Sequence, residues 1–219
     1  PIAPGKAFGP ARFLDSEADL SSIPAEQAED PDRELALFDR AVQQGTEQLK
    51  SLKAQAERLL PPELARIYDT HLQIVQDPSL VKKIRNRIKE GHSLEYSIRL
   101  VFEEYIEILT ASKSPVFTDR AVDLVDLAWL LIGACRSLPA SGSQELSPDQ
   151  DYILVCNALT PSQCLKLDLD HLHGIVSKSG GETSHAAILA KNLNVPCVFG
   201  VSGIERYIEP GDRLALNGE

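Results

Sequence analysis

Apolar and polar positions change their period twice along this chain. KAFGPARFL, residues 6–14, is a short apolar stretch that reads as one strand, and the acidic, Ser- and Pro-containing passage DSEADLSSIPAEQAEDPD after it reads as loop and linker. From about residue 32 to 138 the apolar residues recur at helical spacing. Leu35, Phe38, Val42, Leu49 and Leu52 predict a first helix; Leu64, Ile67, Leu72 and Val75 predict a second, divided from it by Pro61 and Pro62. Asp77 opens a third, with Pro78 suited to its first turn, Leu80, Val81, Ile84 and Ile88 on its apolar face and Gly91 at its end. Ser93 is a fair N-cap for a fourth, with Tyr96 in the place where a full capping box has Glu. A fifth runs from about Pro115 to Leu138. Helices joined by short turns predict an antiparallel helical domain. The run VKKIRNRIKEG sets its cations opposite the apolar stripe of the third helix, which suits a solvated face or a docking patch.

ASGSQELSPDQ, residues 140–150, reads as a second linker. The period then shortens: DYILVCNALTP gives a short strand and a turn in which Thr160 can cap a helix with Pro161 at its first position, and LHGIVS, PCVFG and DRLALNG read as further strands. Strands alternating with short helices indicate an α/β layer. Charge divides the chain at the same places. Residues 31–140 hold 15 basic and 16 acidic side chains, a net of −1; the remainder holds 7 and 16, a net of −9. The simplest topology is an α/β domain of mixed sheet and short helices, residues 1–30 plus 145–219, interrupted by an all-α helical-bundle domain, residues 31–140.

The 219 residues are 43 % apolar, enough for packed cores, and the net charge of −10 repels phosphate backbones, so nucleic-acid binding is excluded as an expectation. No run of about 18 apolar residues occurs, so no membrane span is expected. PIAPGKAFGP has no charged head followed by an apolar run and is not a signal peptide; since the chain opens on Pro1 rather than Met, it is expected to be a piece of a longer one. Cys135, Cys156, Cys164 and Cys197 form no CxxC pair and no metal-ligand spacing. Three sit in apolar runs, as buried thiols do, and a reducing cytoplasm is the expected location.

One segment asks for chemistry. In GGETSHAAILAKNLNVPCVFG, residues 180–200, Ser184 or Thr183 can cap a helix starting at His185, and Ile188, Leu189 and Leu193 then share a face for the sheet. Gly180 and Gly181 let backbone N–H groups approach a ligand. An exposed imidazole at a helix N-terminus, beside a glycine turn and the hydroxyls of Ser177, Thr183 and Ser184, makes a site for an anion, most naturally phosphate. The histidine could itself carry the phosphoryl group, with one ring nitrogen offering its lone pair and the other keeping its proton. The other reading is an ordinary surface histidine. Hydrolase chemistry does not fit, because adjacent helical residues such as Ser184 and His185 do not face each other and no G-x-S-x-G elbow occurs. Zinc does not fit either: His171 and His173 in DHLHG lack a nearby third ligand, and no metal site is expected.

These residues resemble a family. GGETSHAAILAKNLNVPCVFG is similar to the phosphohistidine motif of phosphoenolpyruvate-utilising enzymes, roughly G-G-x-T-S-H-x-A-I-x-A-R followed by a P-A-V-x-G strand. ILVCNALTPSQCLKLD, IYDTHLQIVQDPSL and DRAVDLVDL, the last matching at Arg120, Asp123 and Asp126, resemble passages of enzyme I, the phosphoenolpyruvate–protein phosphotransferase of the sugar phosphotransferase system. The resemblance implies a swivelling phosphohistidine domain interrupted by a helical domain that docks the small carrier HPr. It implies that His185 takes a phosphoryl group through Nε2 and passes it to a histidine of HPr, with Gly180, Gly181, Thr183, Ser184 and Ser177 shaping the cradle. Glu63, Arg66, His71, Ile74, Leu80 and Arg120 are the expected partner-binding residues. Phosphoenolpyruvate and Mg²⁺ are expected in a separate C-terminal barrel that also dimerises; this chain alone is expected to need no cofactor and to be monomeric.

Two charges depart from the pattern. Glu182 stands where the family often has Arg, and Lys178 where it often has Asp. Whether they pair is open at this point. The alternatives are an enzyme-I-like module of the dihydroxyacetone kinase phosphotransfer subunit or of a nitrogen-regulatory system, and, in a different class, a regulatory module that binds a phosphorylated carrier without gaining phosphate.

Overall fold

The computed structural model describes residues 3–14, 19–111, 115–136, 150–182, 184–201 and 203–218. The second linker, residues 140–149, and Thr183 lie outside them. The chain divides into two compact units, Pro1–Ser16 with Leu59–Leu64 and Ser143–Glu219, and Glu17–Arg58 with Ala65–Gly142.

The helical unit follows from its caps. Asp30 Oδ1 accepts the amides of Asp32 and Arg33 at 3.1 Å, and Pro31 starts α1 (Pro31–Leu59). The second predicted helix is broken at Arg66 into α2 (Pro62–Ala65) and α3 (Ile67–Val75). Asp77 caps α4 (Pro78–Lys89), its carboxylate accepting from Ser79 N at 2.8 Å and Leu80 N at 3.0 Å; those two amides hold the carboxyl below the usual carboxylate range. Gly91, at φ +97°, turns the chain out of α4. Ser93 Oγ accepts from Tyr96 N at the start of α5 (Leu94–Ala111), and α6 (Pro115–Arg136) packs against α5.

Packing changes three expectations. The buried stripe of α1 is Phe38, Ala41, Gly45, Leu49 and Ala56, whereas Leu35, Val42 and Leu52 are half-buried. The small residues allow close approach: a Cβ on Gly45 would lie 3.1 Å from Leu131 of α6. The cations of α4 are not simply solvated, since Lys83 and Arg87 pair with Glu104 of α5 and Arg85 with Asp39 of α1. Residues 17–30, expected with the sheet, belong to the helical unit. Leu20 and Ile23 are buried, and Arg99 of α5 donates to the carbonyls of Ser21 and Ile23.

In the other unit, β1 (Lys6–Phe13) pairs in parallel with β2 (Tyr152–Cys156), so neighbouring strands come from opposite ends of the chain. β3 (Leu172–Ser177) and β4 (Cys197–Phe199) continue the parallel set, and β5 (Arg213–Asn217) runs antiparallel to β1, in the order β4-β3-β2-β1-β5. This is the mixed sheet with short helices. One face holds Ala7, Ala11, Ile153, Val155, Val176 and Leu216 in an apolar core. Thr160 caps α7 (Pro161–Cys164) in a reciprocal box with Gln163. All four cysteines are free thiols, three buried and Cys135 half-buried. Among the described residues no helix is long and apolar enough to cross a membrane.

Candidate functional site

The last helix, α8 (His185–Leu193), connects β3 to β4. Its start is fixed by one residue. Ser184 Oγ accepts from Ala187 N at 3.3 Å and donates to Gly181 O at 2.8 Å, while Ser184 N donates to the same carbonyl at 3.1 Å. The carbonyl of Ser184 takes the amide of Ile188 at 3.0 Å. The amide of Ala186 is a first-turn donor that Ser184 does not engage. Such a terminus carries partial positive charge and suits an anion. Asn194, in the left-handed region at φ 54°, ends the helix, and Val195 N reaches back to Ala190 O.

His185 is the first helical residue, and it is 9 % exposed rather than open to solvent. Ala186 and Ala187 beside it are buried as well, and α8 packs on β3 and β4. The apolar face is accordingly Ala186, Ala187, Leu189 and Ala190, with Ile188 and Leu193 half-buried.

The turn before the helix is held by hydroxyls on one carbonyl. Asn157 O lies 3.1 Å from Ser177 Oγ and 2.7 Å from Ser179 Oγ, and it accepts Ser179 N at 2.8 Å. Ser177 Oγ is also 2.6 Å from Ser179 O and the residue is fully buried. Its proton serves the backbone here, so Ser177 braces the turn. Sequence reasoning missed the parts of Asn157 and Ser179, because a backbone carbonyl acting as a hub leaves no trace in residue type. Gly180 sits at φ +117°, with Ser184 Oγ 3.0 Å from where its Cβ would be; Gly181 has open space at that position. Lys178 and Glu182 are both exposed.

The expected partner-binding residues fall in both units. Glu63 on α2 belongs to the sheet unit, and the others belong to the helical unit. Arg66 is exposed; Arg120 is exposed and donates to the buried Asp123 at 3.1 Å. His71 is 1 % exposed and packs edge-on to Tyr68, so it offers no surface to a partner. Leu80 is 3 % exposed, yet it and the half-buried Ile74 line a groove of about 470 Å³. Thr70, Gln73, Asp77 and Ser79 form its polar lining, and Phe102, Tyr105 and Leu124 its apolar side. The last three come from α5 and α6, which sequence adjacency could not bring to α3.

His171 Nδ1 lies 2.8 Å from Asp168 and His173 Nε2 lies 3.4 Å from Asp151, each in a separate pair. Among the described residues no group of three His, Cys, Asp or Glu side chains is placed to hold a metal ion.

With this geometry in place, comparison with known proteins is decisive for the family. The family model for the N-terminal part of PEP-utilising enzymes matches residues 1–120, and the one for their mobile domain matches residues 148–219. The chain belongs to the PEP-utilising enzyme family. It is 29 % identical over 218 residues to the phosphoenolpyruvate-protein phosphotransferase of Mycoplasma capricolum subsp. capricolum, covering 99 % of this chain and 38 % of that protein. To the same-named protein of Staphylococcus carnosus it is 29 % identical, covering 94 % and 36 %, and to that of Enterococcus faecalis 30 % identical, covering 87 % and 33 %. The chain thus spans little more than a third of the length of these relatives. A solution NMR structure of an Enzyme I protein superposes with a TM-score of 0.73 at 25 % identity, covering 99 % of this chain and 87 % of that one. The N-terminal domain of a nitrogen-type Enzyme 1 shares the fold, with a TM-score of 0.61, 22 % identity and coverage of 100 % and 88 %.

Proposed function

We propose that this chain carries a phosphoryl group on His185 and exchanges it with the histidine of an HPr-like carrier. The observation that carries the reading is the histidine at the first position of a serine-capped, glycine-preceded helix in a phosphoenolpyruvate-utilising chain. A neutral ring nitrogen attacks phosphorus while the other nitrogen keeps its proton. The added charge meets the positive end of α8 and its first-turn amides, which stabilise the transferring oxygens as well as the product. Since His185 protrudes little, a partner must bring its phosphoryl group to a narrow opening. The α3–α4–α5–α6 groove is the docking place assigned to the carrier, with Ile74 and Leu80 in its lining and an apolar side chain of the carrier as its occupant. Supply of phosphate from phosphoenolpyruvate, with Mg²⁺, is assigned to a C-terminal domain of the longer relatives' kind.

The test is incubation with a phosphorylated HPr. An acid-labile gain of one phosphoryl group is expected on the chain and is expected to vanish in His185→Ala. Leu80→Glu in the groove is expected to slow transfer without removing acceptance from a small-molecule donor. A regulatory module is the second reading, favoured by the exposed carboxylate of Glu182 beside the site. It would bind the carrier and gain no phosphate.

A further inference from the structure

We infer that Glu182 sets the phosphoryl-transfer potential of His185, keeping the phosphorylated ring less favourable than the same site would be without that carboxylate. The inference rests on the phosphohistidine reading above. Glu182 lies inside the turn that Ser184 N closes on Gly181 O at 3.1 Å. Three peptide units keep its Cα within about 11 Å of that of His185. Its side chain is exposed, and among the described residues no ion pair or hydrogen bond engages it. It is therefore a negative charge beside the site.

In the transfer step the P–N bond to the donor imidazole breaks and its electron pair returns to the donor nitrogen. The lone pair of one His185 ring nitrogen forms the new P–N bond, and the proton on the other nitrogen stays. With that proton retained, the site gains one net negative charge, that of the PO₃ unit transferred. Glu182 repels the phosphorylated form and leaves the free form untouched. One charge against one at about 10 Å in water changes the equilibrium constant about twofold, and salt at about 0.1 M reduces this to about 1.3-fold. The carboxylate makes His185 a better donor and a poorer store of phosphate.

The probe is 1-phosphoimidazole in a fixed ratio to imidazole, equilibrated with the full chain, with the phosphorylated fraction read by intact mass. Glu182→Gln is expected to raise the ratio of phosphorylated to free chain about twofold at low salt and to leave it nearly unchanged at about 0.5 M salt. Glu182→Lys is expected to raise it by about the square of the low-salt factor, and Glu182→Asp to match the parent chain. Equal ratios for the Gln variant and the parent at low salt, or a difference that salt does not diminish, overturn the inference. If the parent chain gains no phosphoryl group from either this reagent or phosphorylated HPr, the phosphohistidine reading itself fails, and the role of Glu182 with it.

Discussion

Replacing Gly180 by alanine tests how the site is built. Gly180 sits at φ +117°, which a side-chain-bearing residue adopts at a cost of about 1–3 kcal/mol. The new Cβ would lie 3.0 Å from Ser184 Oγ and 3.2 Å from Ser184 Cβ, so Ser184 must shift away from Ala187 N and Gly181 O. Loss of such a cap costs about 1 kcal/mol more. Gly180→Ala should therefore destabilise the chain by about 2–4 kcal/mol. Gly181→Ala is the control: its φ is not in the left-handed region and its Cβ meets nothing within 4 Å, so about 0.5 kcal/mol or less is expected. Urea unfolding followed by far-ultraviolet circular dichroism reads both as midpoint shifts at unchanged slope. If the two variants lose stability equally, or if Gly180→Ala is as mild as the control, the account of the turn is wrong.

Other consequences follow from buried and charged groups elsewhere. Ser97 is fully buried on α5 and among the described residues its Oγ has no hydrogen-bond partner, so Ser97→Ala should leave stability unchanged or raise it by about 1 kcal/mol in the same assay. Glu104 is held below the usual carboxylate range by Arg87 and Lys83, which hydrogen-bond it at 2.7 and 3.0 Å. Its stabilisation is complete above about pH 4.3 and is lost as pH falls through its lowered value in the fold, so Glu104→Gln should flatten the acid limb of a stability–pH curve. A Gln variant with an unchanged acid limb would show that the pair does not matter there. Burial pushes the thiol of Cys156 up to about 11 and those of Cys135 and Cys197 up to about 12. All three should resist alkylation at pH 8 in the native chain and react once urea unfolds it; fast native alkylation would contradict the packing.

Local signals were the legible ones. Asp77, Ser93, Thr160 and Ser184 all cap where their residue type and neighbours said they would, because a cap is an interaction within three residues. The five strands and the mixed sheet were legible for a similar reason, through short apolar runs bounded by turn residues. What escaped depends on partners far away in the chain. Gly45 and Ala41 look like gaps in an apolar stripe until α6 packs on them. Leu20 and Ile23 look like loop until Arg99 binds the carbonyls of Ser21 and Ile23. His71 and Leu80 were expected at a partner surface, yet His71 is buried edge-on to Tyr68 and Leu80 is buried in the groove wall. The motif around His185 was legible as chemistry, but its burial was not. How far a helix start sinks depends on packing of α8 against β3 and β4, strands that residue types near His185 do not specify.

The chain holds five histidines, at positions 71, 92, 171, 173 and 185, and the account assigns phosphate to one. Tandem mass spectrometry at neutral pH, after transfer from phosphorylated HPr, can place the modification on a residue. Phosphate confined to His185 is the predicted result; phosphate on any other histidine, with His185 unmodified, would contradict it.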